Sequence, residues 1–300
     1  KWVVDESRSN HFIYKENINA AYINLQKQIK KVGVQLGLRA EQTIAEGNQV
    51  TKDIDFKKNY TRLFPTAYIS YQADDKNTFG ISYGRRIERP GYQDLNPFQY
   101  QLDRYTYRQG NPNLQPQFSH NIELSYNYKG QLNISANYTT ISDIINDVLI
   151  TKREPGDSNY TTYQTKENIA SNRNIGLSVS FNKKLTKWWS INVFGNVYND
   201  HYKGVIDEED INVNITAFSG NLSSQFSFNK GWTAEISGFY NSENLDGSAI
   251  LAKPMGMFSF GATKKVLKDR GSIRVNIRDH FYVMQFRGST HLHHGHRQLQ

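Results

Sequence analysis

The residues with the most chemical capacity crowd into one stretch. Between Pro90 and Pro116 stand Tyr92, Phe98, Tyr100, Tyr105 and Tyr107, interleaved with Asp94, Asp103, Arg104 and Arg108. Rings supply apolar contact and a few charged groups fix orientation, a combination that suits binding of sugars or bulky chelates. Tyr160, Tyr163 and Tyr202, in two later connections, extend this candidate ligand-binding set. A connection longer than about 15 residues is usually functional or disordered. A plainer reading competes. Asn96-Pro97 and Gly110-Asn111-Pro112 are turn formers that fold the segment over what lies beneath it. Ligand-specific contacts then belong to 142–173 or 199–212.

Catalytic arrangements do not emerge. No Gly-rich phosphate loop leads from a strand into a helix, no Ser–His pairing is recognisable, and the carboxylates are scattered. No catalytic residue and no cofactor is assigned, and an enzyme in the outer-membrane phospholipase style is the most distant reading. The run His291-Leu292-His293-His294-Gly295-His296 has imidazoles dense enough to hold zinc or nickel weakly. With no carboxylate beside it on the same element, it reads as a polar loop rather than a metal site.

The elements that position these residues show a period of two. In Ile122-Glu123-Leu124-Ser125-Tyr126-Asn127-Tyr128 every even position is apolar and every odd one polar. The pattern resumes after Lys129-Gly130 as Leu132-Asn133-Ile134-Ser135-Ala136-Asn137-Tyr138. Alternation on both sides of a tight glycine turn predicts a hairpin with one apolar and one polar face. A helix would put Ile122 and Leu124 on different faces. The same unit recurs at Val32 to Leu38, Ile175 to Phe181 and Ile273 to Ile277, and less cleanly at Trp232 to Gly238. About twelve strands are predicted, near 17–27, 32–43, 60–72, 78–88, 119–128, 131–141, 174–182, 188–198, 213–228, 231–242, 252–264 and 272–280. The polar set expected to face a lumen is Arg39, Glu123, Glu235, Arg274 and Arg278.

Connection lengths separate a barrel from a sandwich. Between the predicted strands the links alternate short and long, with long ones near 44–59, 89–118, 142–173, 199–212 and 243–251. Transmembrane barrels have short periplasmic turns and long outer loops, whereas a sandwich scatters loop lengths over both ends. All six short turns carry lysine: Lys30, Lys31, Lys76, Lys129, Lys183, Lys184, Lys187, Lys230, Lys265 and Lys268. Lysine suits any solvated turn, and attraction to anionic headgroups is the sharper alternative. Aromatic residues such as Tyr60, Phe64, Tyr83, Tyr128, Trp188, Trp189, Tyr198 and Trp232 sit near strand ends, where interfacial girdles belong. Arg85 shares parity with Phe79, Ile81 and Tyr83 but stands about 20 Å up its strand, near the outer rim, where a lipid-facing charge is tolerated.

Composition closes off other classes. Nineteen Tyr, 16 Phe and 4 Trp in 300 residues argue against disorder, despite a mean hydropathy of −0.69. No apolar run reaches the roughly 20 residues of a spanning helix. The charge of +8 is spread over turns, not gathered on one face, so nucleic acid is not an expected partner. Absence of Cys excludes a disulfide framework or a thiolate zinc site. The chain opens Lys1-Trp2-Val3-Val4, so any export signal is expected to have been removed, or the chain to be an excised piece.

Gly84-Arg85-Arg86-Ile87-Glu88-Arg89-Pro90-Gly91-Tyr92-Gln93-Asp94-Leu95-Asn96-Pro97-Phe98 resembles the signature of TonB-dependent outer-membrane receptors, in particular their outer-membrane β-barrel branch, common in Bacteroidetes. Asp103, Gly110-Asn111-Pro112-Asn113-Leu114-Gln115-Pro116, Glu123, Tyr126, Arg278-Asp279 and Phe286-Arg287-Gly288 continue the likeness. The resemblance implies an all-β fold, an antiparallel up-and-down transmembrane β-barrel of about 22 strands. Residues 1–300 are expected to supply about twelve of them as a partial barrel domain. It also implies a plug domain and TonB box elsewhere in the same full-length chain, and import of scarce bulky ligands (metal chelates or glycans) without chemical conversion. Outer-membrane lipid, the plug and TonB are the implied partners, with a surface lipoprotein a further candidate. The chain departs from the family at His296-Arg297-Gln298-Leu299-Gln300, where a final strand ending in an aromatic residue is expected, so the last strand or two is expected to be missing. Twelve strands leave two unpaired edges, costly in lipid, so this piece alone is not expected to insert as a closed pore. A plugless surface-binding or adhesion barrel is the alternative function, and a soluble β-sandwich a third.

Overall fold

The computed structural model describes residues 8–153, 160–206, 209–246, 250–268, 270–278, 288–290 and 298–299. Twelve antiparallel strands form one continuous sheet in chain order. They are β1 (Phe12–Ile29), β2 (Val32–Gln49), β3 (Ile54–Gln72), β4 (Asn77–Glu88), β7 (Gln117–Tyr128), β8 (Leu132–Arg153), β9 (Tyr160–Lys184), β10 (Trp189–Ile206), β11 (Glu209–Phe228), β12 (Trp232–Asn241), β15 (Met255–Val266) and β16 (Gly271–Arg278). A short hairpin, β5 (Gln99–Gln101) with β6 (Thr106–Gln109), lies in the connection after β4, and β6 also pairs in parallel with β9. A small separate sheet joins β13 (Asn244–Asp246), β14 (Ile250–Ala252), β17 (Gly288–Thr290) and β18 (Gln298–Leu299). The order of the twelve is strictly up-and-down, and among the described residues the sheet is open between β1 and β16. This is a partial barrel.

Laterally paired residues share a face of the pleat, so the register reads out both surfaces. One row runs Val34, Ile69, Ile81, Leu124, Ala136, Leu177, Val197, Phe218 across eight strands. The parallel row on the other face runs Gly33, Ser70, Gly80, Ser125, Ser135, Ser178, Asn196, Ser219. Leu36, Ile69, Ile81, Leu124 and Leu177 are all well exposed. A two-layer sandwich would bury these side chains against each other, and here none of the described residues covers them. An unbroken apolar wall of this kind is what acyl chains solvate.

The short turns are tight and lysine-bearing. In the three residues between the paired Tyr128 and Leu132, Lys129 and Gly130 both have positive φ, 53° and 67°, the handedness that matches strand twist in a tight hairpin, and Gln131 N–H donates to the Tyr128 carbonyl at 2.9 Å. Above this edge Trp188, Trp189, Phe226 and Phe228 stack in series with centroids 5.9–6.2 Å apart. The Trp189 indole N–H is satisfied by Ser224 Oγ at 2.8 Å. Lys129 and Lys264 lie over the rings of Tyr128 and Trp232. Rings and ammonium groups together make an interfacial belt.

The far edge corrects the sequence reading. Segments 44–59, 142–173 and 199–212, expected as loops, are mostly strand: β8 has 22 residues, β9 25 and β11 20. At 40° tilt and about 3.3 Å per residue, β9 rises about 60 Å, twice a hydrocarbon core of about 30 Å. Its outer part therefore stands beyond the hydrocarbon, where backbone pairing persists but apolar alternation has no cause to. A bulge marks the change. The β8–β9 register shifts between Ile141 and Ile144, and Asp143 there has φ 58°. Beyond it Val148, Ile169 and Ala170 form a small core, with Ile144 and Ile150 against it.

Candidate functional site

The segment after β4 does not project outward. It folds back onto the polar face of β2 and β3, and burial there alternates along β2: Glu41, Thr43, Ala45 and Gln49 are buried, with Gln42, Ile44 and Glu46 between them more open. Leu95, Phe98 and Leu114, each at most 2% exposed, are the apolar underside of the segment. Polar ties fix it. Arg89 Nη2 reaches Glu41 Oε2 at 2.7 Å and Thr43 Oγ1 at 3.1 Å. Gln49 Nε2 donates to Asn10 Oδ1 at 3.0 Å, and the Lys58 ammonium donates to the Leu114 carbonyl. Burial lowers the Lys58 ammonium's pKa. Gly110 N–H donates to the Asn96 carbonyl at 2.9 Å and Asn111 N–H to the Asp94 carbonyl at 2.6 Å. Gly110 is required at this crossing, because a Cβ there would sit 2.5 Å from Asn96 O and 2.7 Å from Asp94 O.

Between this folded segment and the outer part of β9 opens a cavity of about 940 Å³. Of the sequence-predicted set it gathers Tyr92, Asp94, Tyr100 and Arg108. Asp94 Oδ1 pairs with Lys166 Nζ at 3.2 Å. Arg108 gives Nε and Nη2 to Gln164 Oε1 at 3.2 and 3.1 Å. Tyr100 accepts from Asn10 Nδ2 at 2.5 Å, and Tyr92 from Gln93 Nε2 at 3.2 Å. Beside the cavity, the Tyr14 phenol is pushed up to about 12, first by burial and then by Glu16, so it stays protonated. The lining is amide-rich and aromatic, with cations and carboxylates in balance.

The other predicted residues lie elsewhere. Phe98 packs edge-on against Tyr100 at 4.9 Å, inside the segment's own core and away from solvent. Asp103 caps the β5–β6 turn, accepting from Tyr105 N–H at 2.8 Å, and Arg104 lies over the Tyr105 ring at that tip. Tyr107 stacks on Tyr163 at 5.9 Å, fastening the hairpin to β9. Tyr160 is exposed at the outer start of β9. Tyr202 lies on β10 opposite Asn172. The His291–His296 cluster lies outside the described residues. Sequence reasoning missed Asn10, Gln93, Asn96, Gln101, Gln109 and Gln164 in the lining. Amides are the weakest signal in a chain rich in Asn and Gln, and Gln164 belongs to a strand extension read as a loop.

The polar-face set is spread along the sheet. Arg39 Nε lies 3.3 Å from Glu41 Oε1, its guanidinium over the Phe64 ring. Glu123 pairs laterally with Ser82 and Asn137, and Glu235 with Gln225 and Gly261. Arg274 donates to Thr263 Oγ1 at 3.3 Å, and Arg278 sits opposite Ser259. Gly80-Ile81-Ser82-Tyr83-Gly84 has the Gly-x-Ser-x-Gly spacing of a hydrolase elbow. It lies inside straight β4, with Ser82 beside Glu123, so it makes no strand-to-helix turn.

Arg85 sits where the β3–β4 ladder stops, at Thr66–Gly84. Its Nη1 donates to the freed Leu63 carbonyl at 3.1 Å and its guanidinium covers the Phe118 ring at 4.9 Å.

The sequence model of the outer membrane protein beta-barrel family matches residues 1–299. Among solved structures, the siderophore receptor PirA from Pseudomonas aeruginosa superposes with a TM-score of 0.61 at 12% identity, covering 91% of this chain and 54% of PirA. The siderophore receptor PiuA from Acinetobacter baumannii gives 0.63 at 13%, covering 96% and 42%. The FrpB iron transporter from Neisseria meningitidis gives 0.60 at 14%, covering 92% and 42%. The chain thus spans about half, or less, of these structures, and at such identities the likeness is one of fold. No curated protein sequence matches it.

Proposed function

The chain belongs to the outer membrane protein beta-barrel family, and from that premise we propose that it is the barrel portion of a TonB-dependent importer that takes up a scarce, bulky ligand, a metal chelate or a glycan, without converting it. The polar face is then the lumen, and the missing barrel strands, plug and TonB box belong to the rest of the full-length protein. The observation that carries this reading is the cavity at the outer edge, over the polar face and roofed by the segment after β4. A ligand arriving from outside meets it first. Three aromatic rings, several amides and balanced charges fit capture and release, and among the described residues no nucleophile–base pair is assembled there for chemistry.

The likeness to receptors and transporters of siderophores and iron supports transport as the class. Uptake measured in cells making the full-length protein tests it, with labelled ferric chelates and oligosaccharides supplied at limiting concentration. Accumulation that collapses with a protonophore and with loss of TonB is expected. Accumulation indifferent to both, or surface binding with no accumulation, would overturn the importer reading.

A further inference from the structure

On the outward wall, where β4 and β7 to β10 leave the apolar band, basic groups take over from aliphatic ones. The register aligns Tyr83, Ile122, Tyr138 and Ile175 on four neighbouring strands. One step further out on the same face it aligns Arg85, His120, Thr140, Arg173 and His201. Lys203 follows two residues beyond His201, on the same side. A cavity of about 290 Å³ opens among His120, Arg173, His201 and Lys203, with Phe118 as an apolar wall. No carboxylate is among the described residues that line it.

Side-chain contacts orient the groups. The Tyr83 hydroxyl holds His120 Nδ1 at 2.9 Å. Arg173 Nη2 lies 3.3 Å from His201 Nδ1, and His201 Nε2 lies 2.7 Å from Asn212 Oδ1. None of the ion pairs among the described residues involves Arg173 or Lys203. Cations without an ion-pair partner among the described residues, on a wall that continues downward into Ile122, Ile175 and Leu177, call for an amphiphile with an anionic head. The long-strand edge is the extracellular one, so the leaflet at this height is the outer leaflet.

We propose that this wall is a binding site for the phosphorylated headgroup of an outer-leaflet glycolipid. Arg173 and Lys203 take the phosphate by charge-assisted hydrogen bonds, His120 and His201 flank it, and the acyl chains lie down the row of Tyr83, Ile122, Tyr138 and Ile175. The site is separate from the polar-face cavity and stands whether or not the importer reading does.

Native mass spectrometry of the full-length protein in detergent tests it, with bisphosphorylated lipid A and fully dephosphorylated lipid A as probes. Retention of the bisphosphorylated form alone is expected, reduced about tenfold in R173Q/K203Q, the scale of losing one or two charge-assisted bonds. K129Q, at the opposite edge, is expected to retain it fully. Millimolar inorganic phosphate is expected to leave it bound. Equal retention of the dephosphorylated lipid, undiminished retention by R173Q/K203Q, equal loss in K129Q, or displacement by inorganic phosphate would each overturn the assignment.

Discussion

Arg89 Nη2 lies 2.7 Å from Glu41 Oε2, joining the first turn of the segment after β4 to the polar face of β2. Glu41 also holds Arg39 at 3.3 Å, so one carboxylate serves two guanidinium groups on neighbouring elements. Glu41 is 8% exposed, and its burial depends on the segment staying down. The ion pair is therefore a latch whose two halves come from a strand and from the segment it closes on.

Removing the carboxylate while leaving the cation in place tests the latch. Glu41→Ala removes the ion-pair partner of Arg89 and leaves its Nη2 the neutral Thr43 hydroxyl, while its Nε already has no partner among the described residues. The expected cost to docking is about 3 kcal/mol, the low end for breaking a buried pair. Protease cleavage within 99–109 should rise on the order of a hundredfold, because it tracks the open population. Unchanged cleavage would show that Leu95, Phe98 and Leu114 hold the segment without the latch.

The crossing at Gly110 makes a steric prediction. Gly110→Ala drives a methyl into the Asn96 and Asp94 carbonyls, and overpacking against backbone costs about 1–3 kcal/mol. Gly84→Ala meets nothing within 4 Å and is expected to change stability by less than about 0.5 kcal/mol. Hydrogen exchange at Asn111 N–H, bonded to the Asp94 carbonyl, reads the difference directly. Equal protection in both variants would contradict the close approach.

The tip of the β5–β6 hairpin should be acid-sensitive. The Tyr105 backbone N–H, and then the Thr106 side chain, hold the Asp103 carboxyl below its ordinary range. A depressed folded pKa stabilises the folded tip above the unfolded value of about 3.9. That contribution is lost as pH falls through the lower folded value. Protection of the Tyr105 amide is thus expected to stay level from neutral pH to about pH 5 and to fall below about pH 4. Asp103→Asn should abolish the dependence. A tip that loosens equally in acid with Asn at 103 would place the sensitivity elsewhere.

The twelve strands of the sheet were legible in the sequence because lipid enforces a dyad pattern: Ile122 to Tyr128 and Leu132 to Tyr138 have one face in acyl chains and one in a polar interior. Outside the membrane that constraint lapses. Val148 and Thr165 pair in β8–β9 as surely as Leu124 and Ala136 pair below, yet nothing in their types alternates. Of the candidate site, only part of the aromatic and charged lining announced itself: Phe12, Asp147 and Lys166, carried on strands, gave no sign. Tyr92, Asp94, Tyr100 and Arg108 share a cavity, while Phe98 and Asp103 serve the segment's own packing and turn. Asn10 and Gln164 reach that cavity from positions 154 apart in the chain, through a pairing of β6 with β9 that no local pattern encodes.

Adjacent residues on β7 should behave as though in two solvents. Leu124 is 54% exposed on the apolar face, in lateral register with Ile81 and Ala136, whereas Glu123 faces the other way beside Ser82 and Asn137. Both stand about four residues above the short turn, near 10 Å into the core at 40° tilt. In the full-length protein, Leu124→Cys should resist a membrane-impermeant maleimide, and Glu123→Cys should react whenever the polar face is hydrated. Leu124→Arg should cost about 2–4 kcal/mol, the penalty for a cation facing lipid near the midplane. The same charge at 123 should be tolerated, since that face already carries Arg274 and Arg278. Rapid labelling at 124 would mean that the exposed aliphatic row meets water, and the spanning orientation of the whole sheet would fall with it.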